Sequence, residues 1–298
     1  MALPSYASPV QKTYYYFYLF FCGVVFFFLV APLFAIVPIS FSVSPFMVFT
    51  DGMLAWPPDP EAWSLRWYRN MIGDCSADVV SSTVPCSNKW MIGTVNSFFI
   101  GIVATVIATA LGTLAALGLS RPHMPFKGLI MAILISPMIV PLIITAAGMF
   151  FFYARINLVY TFTGVILAHV ALATPFVVIT VTATLVGFDM NMVKAAQSLG
   201  ARPVKTFFRV IMPLILPGII SGALFAFITS FDEVVIVMFM ASLDQLTIPK
   251  QMWAGIRQEI SPVILCMATC LVALSIFLLT TVELLRRRSE RLRGIKPR

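Results

Sequence analysis

Length, composition and charge identify the solvent of this chain before any motif is considered. The chain has 298 residues, of which 60% are hydrophobic and only 11% are charged. Soluble domains carry roughly a quarter charged residues, so this composition excludes an ordinary soluble fold. The sequence predicts an integral membrane protein, and the net charge of +8 is attributed to basic loops rather than to nucleic-acid binding.

The first apolar run predicts an uncleaved membrane helix. Residues 1–13 are short and polar, and residues 14–41 are apolar for longer than the roughly 20 residues that a spanning helix needs. A signal peptide would have a shorter apolar core and a small-residue cleavage site. Residues 42–90 form a polar loop that contains acidic residues and prolines, and within it residues 62–72 predict a short interfacial helix.

The rest of the chain predicts five further spans and a basic tail at 286–298. The spans cover 91–119, 129–152, 159–186, 214–240 and 262–285, and Pro137 and Pro141 are expected to break the span at 129–152. Their polar connections include a loop at 188–213. The expected fold class is therefore all-α, an integral membrane protein with six transmembrane helices and with residues 91–285 as a five-helix core.

The distribution of basic residues predicts the orientation. Six spans place both termini on one side. Of the 20 Lys and Arg residues, 14 lie in the N-terminus, the 120–128 turn, the 189–213 loop and the tail. The six others lie in the longer loops of the opposite side. The positive-inside rule then predicts cytoplasmic termini, a cytoplasmic 188–213 loop and a periplasmic 42–90 loop in the inner membrane of a bacterium.

Motifs for enzymatic chemistry are missing from the sequence. The segment GARPVKT (200–206) resembles a phosphate-binding loop superficially, but it lacks the second glycine and has Pro203 where backbone amides are needed. No metalloprotease helix, nucleophile elbow or Cys-x-x-Cys pair occurs. We therefore expect no enzyme activity, no catalytic residue, no metal and no cofactor in this chain.

The loop before the fifth span has the sequence features of a short helix with a defined start and end. Asp189 is a good helix N-cap, residues 190–199 can form a short helix, and Gly200 suits the position that ends it. Ala195 and Ala196 give that helix a small, smooth face that another surface can approach closely.

The same loop resembles the EAA loop of binding-protein-dependent ABC importer permeases. That motif reads Glu-Ala-Ala, three residues, Gly, nine residues, Ile, one residue, Leu-Pro, and the spacing here is matched throughout. The departures are Lys194 for Glu, Val210 for Ile and Met212 for Leu, of which only Lys194 reverses a charge. The residues assigned to ATPase coupling are Lys194, Ala195, Ala196, Leu199, Gly200 and Pro213.

The resemblance implies a type I ABC importer permease fold and a set of partners. In that family the loop forms a coupling helix that sits in a groove of the ATPase subunit. The expected partners are two ATP-binding subunits that carry the ATP, a second permease subunit and a periplasmic substrate-binding protein. The charge of Lys194 puts any specific salt bridge at that position in doubt.

Two acidic residues predict a substrate pathway. Residues 169–185 and 230–239 look like permeases for polyamines such as spermidine and putrescine. Asp232 and Glu233 are adjacent carboxylates inside an apolar span, where ionisable groups are costly and mark pathways by default. Both cannot face one groove squarely, because neighbours on a helix are separated by about 100°. The alternative is that both lie near the outer interface and meet water.

Other side chains carry smaller predictions. Cys75 and Cys86 both lie in the outer loop, and a disulfide between them is expected in an oxidising compartment. His169 is a lone polar residue within a span, for which an interhelical hydrogen bond is favoured over a ligand role.

Three alternatives stay open at this stage. The same machinery could carry iron(III), an aminophosphonate, an opine or 4-aminobutyrate. The chain could be an ATP-independent channel or secondary transporter, although six spans without inverted repeats argue against the latter. It could also be a membrane anchor or sensor.

Overall fold

The computed structural model describes residues 8–74, 76, 88–121, 123–186, 191–258 and 261–292. Within these ranges the regular structure is helical, apart from an isolated antiparallel pairing between Ser42 and Trp63. The chain divides into two compact units. One comprises Met1–Ser87 with Gly255–Arg298, and the other comprises Asn88–Ala254.

The helices are numbered in chain order. They are α1 Pro9–Ile39, α2 Asp51–Leu54, α3 Arg66–Met71, α4 Lys89–Leu119, α5 Lys127–Ile139, α6 Leu142–Arg155, α7 Phe162–Val186, α8 Asn191–Ser198, α9 Pro203–Thr206, α10 Met212–Phe231, α11 Val235–Met240, α12 Ile248–Gln258 and α13 Val263–Leu292. A short 3₁₀ helix covers Pro60–Ala62, and a π-helical turn, Phe207–Ile211, joins α9 to α10.

The long apolar helices confirm a membrane protein, but only part of the expected span count. The helices α1, α4, α7 and the continuous run Pro203–Phe231 are each long and apolar enough to cross a bilayer. The helices α5 and α6 meet at an angle of 103° and add a fifth span if they count as one. The apolar part of α13, Val263–Phe277, is shorter than the four single-helix spans.

The third span, expected over 129–152 with breaks at Pro137 and Pro141, is two helices in the structure, and the break lies at Pro141. Val140, which precedes Pro141, has extended backbone angles of −71° and 135°, and it ends α5. A residue before proline is pushed out of the helical region, and proline itself offers no N–H to the helix. Pro137 and Pro175, in contrast, remain inside α5 and α7.

In the first unit, a buried polar cluster orders the segment that follows α1. The side chain of Trp67 is fully buried and its indole N–H donates to the Ser42 carbonyl at 2.8 Å. The Tyr68 and Ser40 hydroxyls lie 2.7 Å apart, and the Cys266 thiol donates to the Ser40 carbonyl at 3.3 Å. Trp67 therefore packs inside the protein, which differs from the headgroup-level position expected for an interfacial helix.

One ion pair closes the described part of this polar segment. The Arg69 guanidinium donates to Asp74 at 2.7 Å. Hydrogen bonds from Ser76 and from Arg69 lower the pKa of Asp74 to about 2, because they favour the ionised carboxylate. Cys75 and Cys86 lie outside the described residues, so their disulfide stays a prediction.

In the second unit, three apolar helices form the core. The helices α4, α7 and α10 pack together through small residues, with Ala104, Ala108 and Ala116 of α4 fully buried. A Cβ added at Gly112 would lie 2.6 Å from the Val177 Cβ, so the backbones of α4 and α7 approach closely there. Small residues allow such approach between membrane helices.

The polar segment after α11 is fastened to α4. The Asn96 side chain donates to the backbone carbonyls of Asp244 and Leu246 at 2.7 and 2.9 Å. The Ser97 hydroxyl accepts from the Ile248 N–H at 2.8 Å, so the start of α12 is held as well. Both α4 side chains are buried, where a backbone group without a partner is costly.

Candidate functional site

Three of the residues expected to couple to an ATPase lie on a short helix at the surface. The helix α8 carries Lys194, Ala195 and Ala196, and none of its residues is buried. Beyond its end, 89% of Leu199 is exposed. The side chain of Lys194 forms no ion pair with any residue that the structure describes. Asp189, the expected N-cap, lies outside the described residues.

Gly200 ends this helix as the sequence predicts. Its φ of +80° lies in the left-handed region that favours glycine. The Ala201 N–H donates to the Ala196 carbonyl at 3.0 Å, and the Gly200 N–H donates to the Gln197 carbonyl at 2.9 Å. These two bonds are the Schellman arrangement, so the C-terminus of α8 is closed by its own backbone.

A continuous helical run connects this region to the acidic pair. Arg202 adopts extended backbone angles before Pro203. The run Pro203–Phe231 then continues as helix through α9, the π-helical turn and α10. Pro213 is the second residue of α10, so its missing N–H falls directly after the π-helical turn, where the hydrogen-bond register of the run changes. Short π-helical insertions frequently mark functional places in helices.

The run is packed closely against α7. A Cβ added at Gly218 would overlap the Thr184 hydroxyl, and one added at Gly222 would lie 3.0 Å from the Val177 Cα. The small-residue spacing 218–222 is thus a close helix contact in the structure. Because two backbones meet there with little room, α7 and α10 are expected to move together.

Asp232 and Glu233 lie where the run ends, not inside a continuous helix. The fifth span expected over 214–240 breaks between Phe231 and Val235. Asp232 is exposed, whereas Glu233 is 7% exposed and its carboxylate accepts the Ile236 N–H at 2.8 Å. The two carboxylates therefore have different surroundings, and Glu233 caps the first turn of α11.

These residues line a cavity of about 470 Å³. Its walls come from the end of α10, the break after it and the start of α6; the lining residues are Leu142, Ile228, Thr229, Asp232, Glu233, Val234 and Val235. Both helix breaks, at Pro141 and at Asp232, therefore contribute to it. The volume is in the range of small-molecule sites, and the lining combines apolar walls with few polar groups.

A buried histidine ties α7 to the end of α10. His169 is 1% exposed and its Nδ1 lies 2.7 Å from the Ser230 hydroxyl. The expected interhelical hydrogen bond is thus present, two residues before Asp232. Among the described residues, no group of three or more His, Cys, Asp and Glu side chains could hold a metal ion.

One contributor to this region was missed by the sequence reasoning. The Lys250 ammonium donates to the Ala241 carbonyl at 2.9 Å and to the Val237 carbonyl at 3.3 Å. Lys250 was counted only as a basic residue of an outer loop. The amphipathic pattern of 248–258 was the available signal, since it predicts a helix with one protected face.

Comparison with known proteins assigns the region around α8 and the region around the cavity to one family. Residues 108–291 match the family described as "Binding-protein-dependent transport system inner membrane component". The chain is 30% identical to the putrescine transport system permease protein PotI of Escherichia coli (strain K12) over 250 residues, which are 81% of this chain and 80% of that protein.

A second relative and a solved structure agree with this match. The chain is 30% identical over 196 residues to the spermidine/putrescine transport system permease protein PotC of Haemophilus influenzae, covering 66% of this chain and 76% of that one. A chain in the crystal structure of a bacterial ABC transporter involved in the import of the acidic polysaccharide alginate superposes with a TM-score of 0.73 at 12% identity, covering 94% of this chain and 99% of that one. This last likeness concerns the fold.

The family match covers α8, the contact between α7 and α10, and the acidic cavity. This chain belongs to the family of binding-protein-dependent transport system inner membrane components.

Proposed function

We propose that this chain is a permease subunit of an ATP-driven ABC importer, and that it carries a small cationic solute, a polyamine such as spermidine or putrescine, across the inner membrane. Its similarity to PotI and PotC supports the class of transporter and of solute. The alternatives are the same machinery with iron(III), an aminophosphonate, an opine or 4-aminobutyrate as cargo.

The observation that carries the cationic cargo is the charge of the cavity. Asp232 is exposed at the cavity wall, and the described residues that line the cavity include two carboxylates and no Lys, Arg or His. Glu233 is engaged in capping α11, so Asp232 is the carboxylate left for a solute. An ammonium group beside it would gain a charge-assisted hydrogen bond, which is stronger than a bond between neutral groups.

The proposed assembly contains two ATP-binding subunits, a second permease subunit, which is a different chain, and a periplasmic substrate-binding protein. ATP binds to the partner subunits, and this chain contributes no catalytic residue. We place both termini and the 188–213 loop in the cytoplasm, with α5 and α6 as one broken span and α13 as the sixth. The distribution of basic residues supports this orientation.

The proposed mechanism follows the chain from one region to the other. The ATPase subunit contacts α8, where Lys194, Ala195, Leu199 and Gly200 are exposed and Ala196 is half-buried. Movement of α8 passes through α9 and the π-helical turn into α10. Because α10 is packed against α7 at Gly218 and Gly222, the pair moves together and changes the access to the cavity at Asp232.

The test is uptake by the reconstituted complex. The chain is assembled with its ATPase, sister permease and binding protein in proteoliposomes, and uptake of labelled spermidine and putrescine is measured with and without ATP. We expect ATP-dependent uptake that iron(III), aminophosphonates, opines and 4-aminobutyrate do not inhibit. Asp232→Asn should reduce uptake about tenfold or more, because the solute loses a charged partner.

The matched control is Asp244→Asn. Asp244 is also an exposed carboxylate of the second unit, but it does not line the cavity, so uptake should be unchanged. Uptake without ATP would contradict the importer in favour of a channel. Uptake of another cargo in preference to polyamines would contradict the proposed solute, and so would an Asp232→Asn variant that transports normally.

A further inference from the structure

The helix α11 is short, so a large share of its backbone N–H and C=O groups needs hydrogen-bond partners from outside the helix. It has six residues, Val235–Met240, and the first N–H groups and last carbonyls of any helix have no partner within the helix. Its core side chains Ile236, Val237 and Met240 are buried, so its orphan groups cannot rely on bulk water. Buried backbone groups without partners are rare because each is costly.

The N-terminal end is satisfied by a carboxylate. Glu233 accepts the Ile236 N–H at 2.8 Å from a position just before the helix. A negative charge at this end is also favoured by the helix dipole, which places partial positive charge at the N-terminus.

The C-terminal end is satisfied by an ammonium group and by a turn. Lys250 donates to the Ala241 carbonyl, and it is a second donor to the Val237 carbonyl, which also accepts the Ala241 N–H at 3.1 Å. The Tyr160 N–H donates to the Met240 carbonyl at 2.9 Å. Lys250 is half-buried, and burial lowers the pKa of its ammonium group because desolvation disfavours the charged form. The hydrogen bonds to the two carbonyls offset part of the hydration that the ammonium group loses on burial.

The backbone that carries Lys250 is held in place by hydrogen bonds. The segment that joins α11 to Lys250 is held on α4 by Asn96 and Ser97, as described above. Because the backbone before Lys250 is held on α4, the ammonium group of Lys250 can hold the end of α11 at a fixed place. Glu233 and Lys250 form no ion pair with each other, since the ion pair within the described residues is Arg69–Asp74.

We propose that Lys250 is a positioning residue for the acidic cavity: by capping the C-terminal end of α11, it fixes this helix and the Asp232–Val235 wall that precedes it. The inference rests on the proposed function, because it concerns the cavity through which the solute passes. Lys250 itself does not line the cavity. It acts through the placement of α11.

The experiment measures solute moved per ATP hydrolysed by the full reconstituted complex with its binding protein. Lys250→Met keeps most of the side-chain length but removes the donor. We expect about a tenfold loss of the transport-to-ATP ratio, since two carbonyls lose a charged partner. Lys250→Arg, which retains a charged donor, should keep at least about half of the ratio. The control Lys127→Met, at an exposed lysine that starts α5, should leave the ratio unchanged.

The ratio separates positioning from general instability. A variant that merely folds poorly yields less complex, and uptake and ATP hydrolysis then fall together. If Lys250→Met does not assemble, Lys250→Gln keeps an uncharged donor and should give an intermediate loss. A normal ratio in Lys250→Met, or in Lys250→Gln where that variant is used, overturns the inference.

A charge exchange adds a second discriminating outcome. In the double variant Glu233→Lys, Lys250→Glu, both ends of α11 carry the charge that its dipole disfavours, so transport should not recover. Recovery would show a direct charge pair and overturn the capping role. Failure of the unmutated complex to move polyamine with ATP would instead contradict the proposed function, which keeps the two failures apart.

Discussion

The helices α8 and α11 are both short, but they are stabilised in opposite ways. The helix α8 has no buried residue and ends in a Schellman arrangement made by its own backbone at Gly200. The helix α11 has buried side chains and takes its caps from Glu233, Tyr160 and Lys250. The C-terminal end of α8 depends on local backbone geometry, whereas that of α11 also depends on Tyr160 and Lys250, which lie elsewhere in the chain.

The difference teaches where each helix can move. Because the C-terminal cap of α8 is internal, a change in the tilt of this helix leaves the two hydrogen bonds of that cap intact. A shift of α11 would instead strain its hydrogen bonds to Tyr160 and Lys250. We therefore expect α8 to be the more mobile of the two helices and α11 to hold its position.

The largest expected effect tests the self-contained cap of α8. Gly200→Asp should abolish uptake while the protein stays in the membrane. The left-handed conformation costs a non-glycine residue about 1–2 kcal/mol, and a negative charge at a helix C-terminus opposes the dipole. Uptake and membrane abundance are measured together. Gly200→Asn is the matched variant, since asparagine tolerates this conformation and has no charge, and it should keep most of the uptake.

Normal uptake in Gly200→Asp would remove the coupling role from this helix. A loss in both variants alike would assign the effect to backbone strain alone. A Cβ at Gly200 meets nothing within 4 Å in this chain, so a clash within the subunit is not the cause of either result.

The next effect tests the borrowed cap of α11. Glu233→Leu should lower uptake several-fold, since the Ile236 N–H loses its acceptor and each buried orphan costs about 1–3 kcal/mol. Glu233→Gln should be milder, because its amide oxygen can still accept that N–H. Uptake and thermal stability of the purified complex are the measurements. Equal losses in Gln and Leu would show that the charge of Glu233, and not its cap, is what matters.

A smaller effect concerns the helix pair that joins the two regions. Gly218→Ala should lower the free energy of unfolding by about 1–3 kcal/mol, the usual cost of overpacking. The new Cβ would overlap the Thr184 hydroxyl and lie 3.3 Å from the Thr180 carbonyl oxygen. Gly118→Ala is the control, because a Cβ there meets nothing within 4 Å. Thermal melts of the two variants should differ in that order, and equal melts would contradict the close contact.

The smallest effect lies outside both helices. A disulfide between Cys75 and Cys86 should contribute roughly 2–3 kcal/mol of local stability, as expected for a short closed loop. Replacing either cysteine by serine should leave uptake nearly unchanged. Mass measurement without reduction checks the bond, and two free thiols would remove the prediction.

Much of the fold was predictable because hydropathy reports the bilayer directly. The runs that became α1, α4 and α7 were identified from apolar length. Gly200 was identified as a helix terminator because few residues adopt a positive φ without cost. The family resemblance followed from the spacing of the coupling loop and was confirmed by the match over 108–291.

What was not predictable was which interruptions end a helix. Pro137 and Pro141 were both expected to break one span, but Pro137 stays inside α5. Pro141 ends α5, whereas Pro175 stays within α7, and the choice depends on neighbours that re-satisfy freed backbone groups. The break at Asp232 and the cap by Glu233 had the same cause, since local sequence does not show which backbone groups are left without partners. Lys250 was missed because its carbonyl partners are nine and thirteen residues away.

The length of α10 sets how far its end would move in the proposed mechanism. The helix contains 20 residues, which at 1.5 Å per residue span roughly 30 Å. With the π-helical turn before α10 as the pivot, we expect a rotation of about 10° to displace the Phe231 end by roughly 5 Å. The cavity wall would then combine two residues that move with α10, Ile228 and Thr229, with residues that lie beside the capped helix α11.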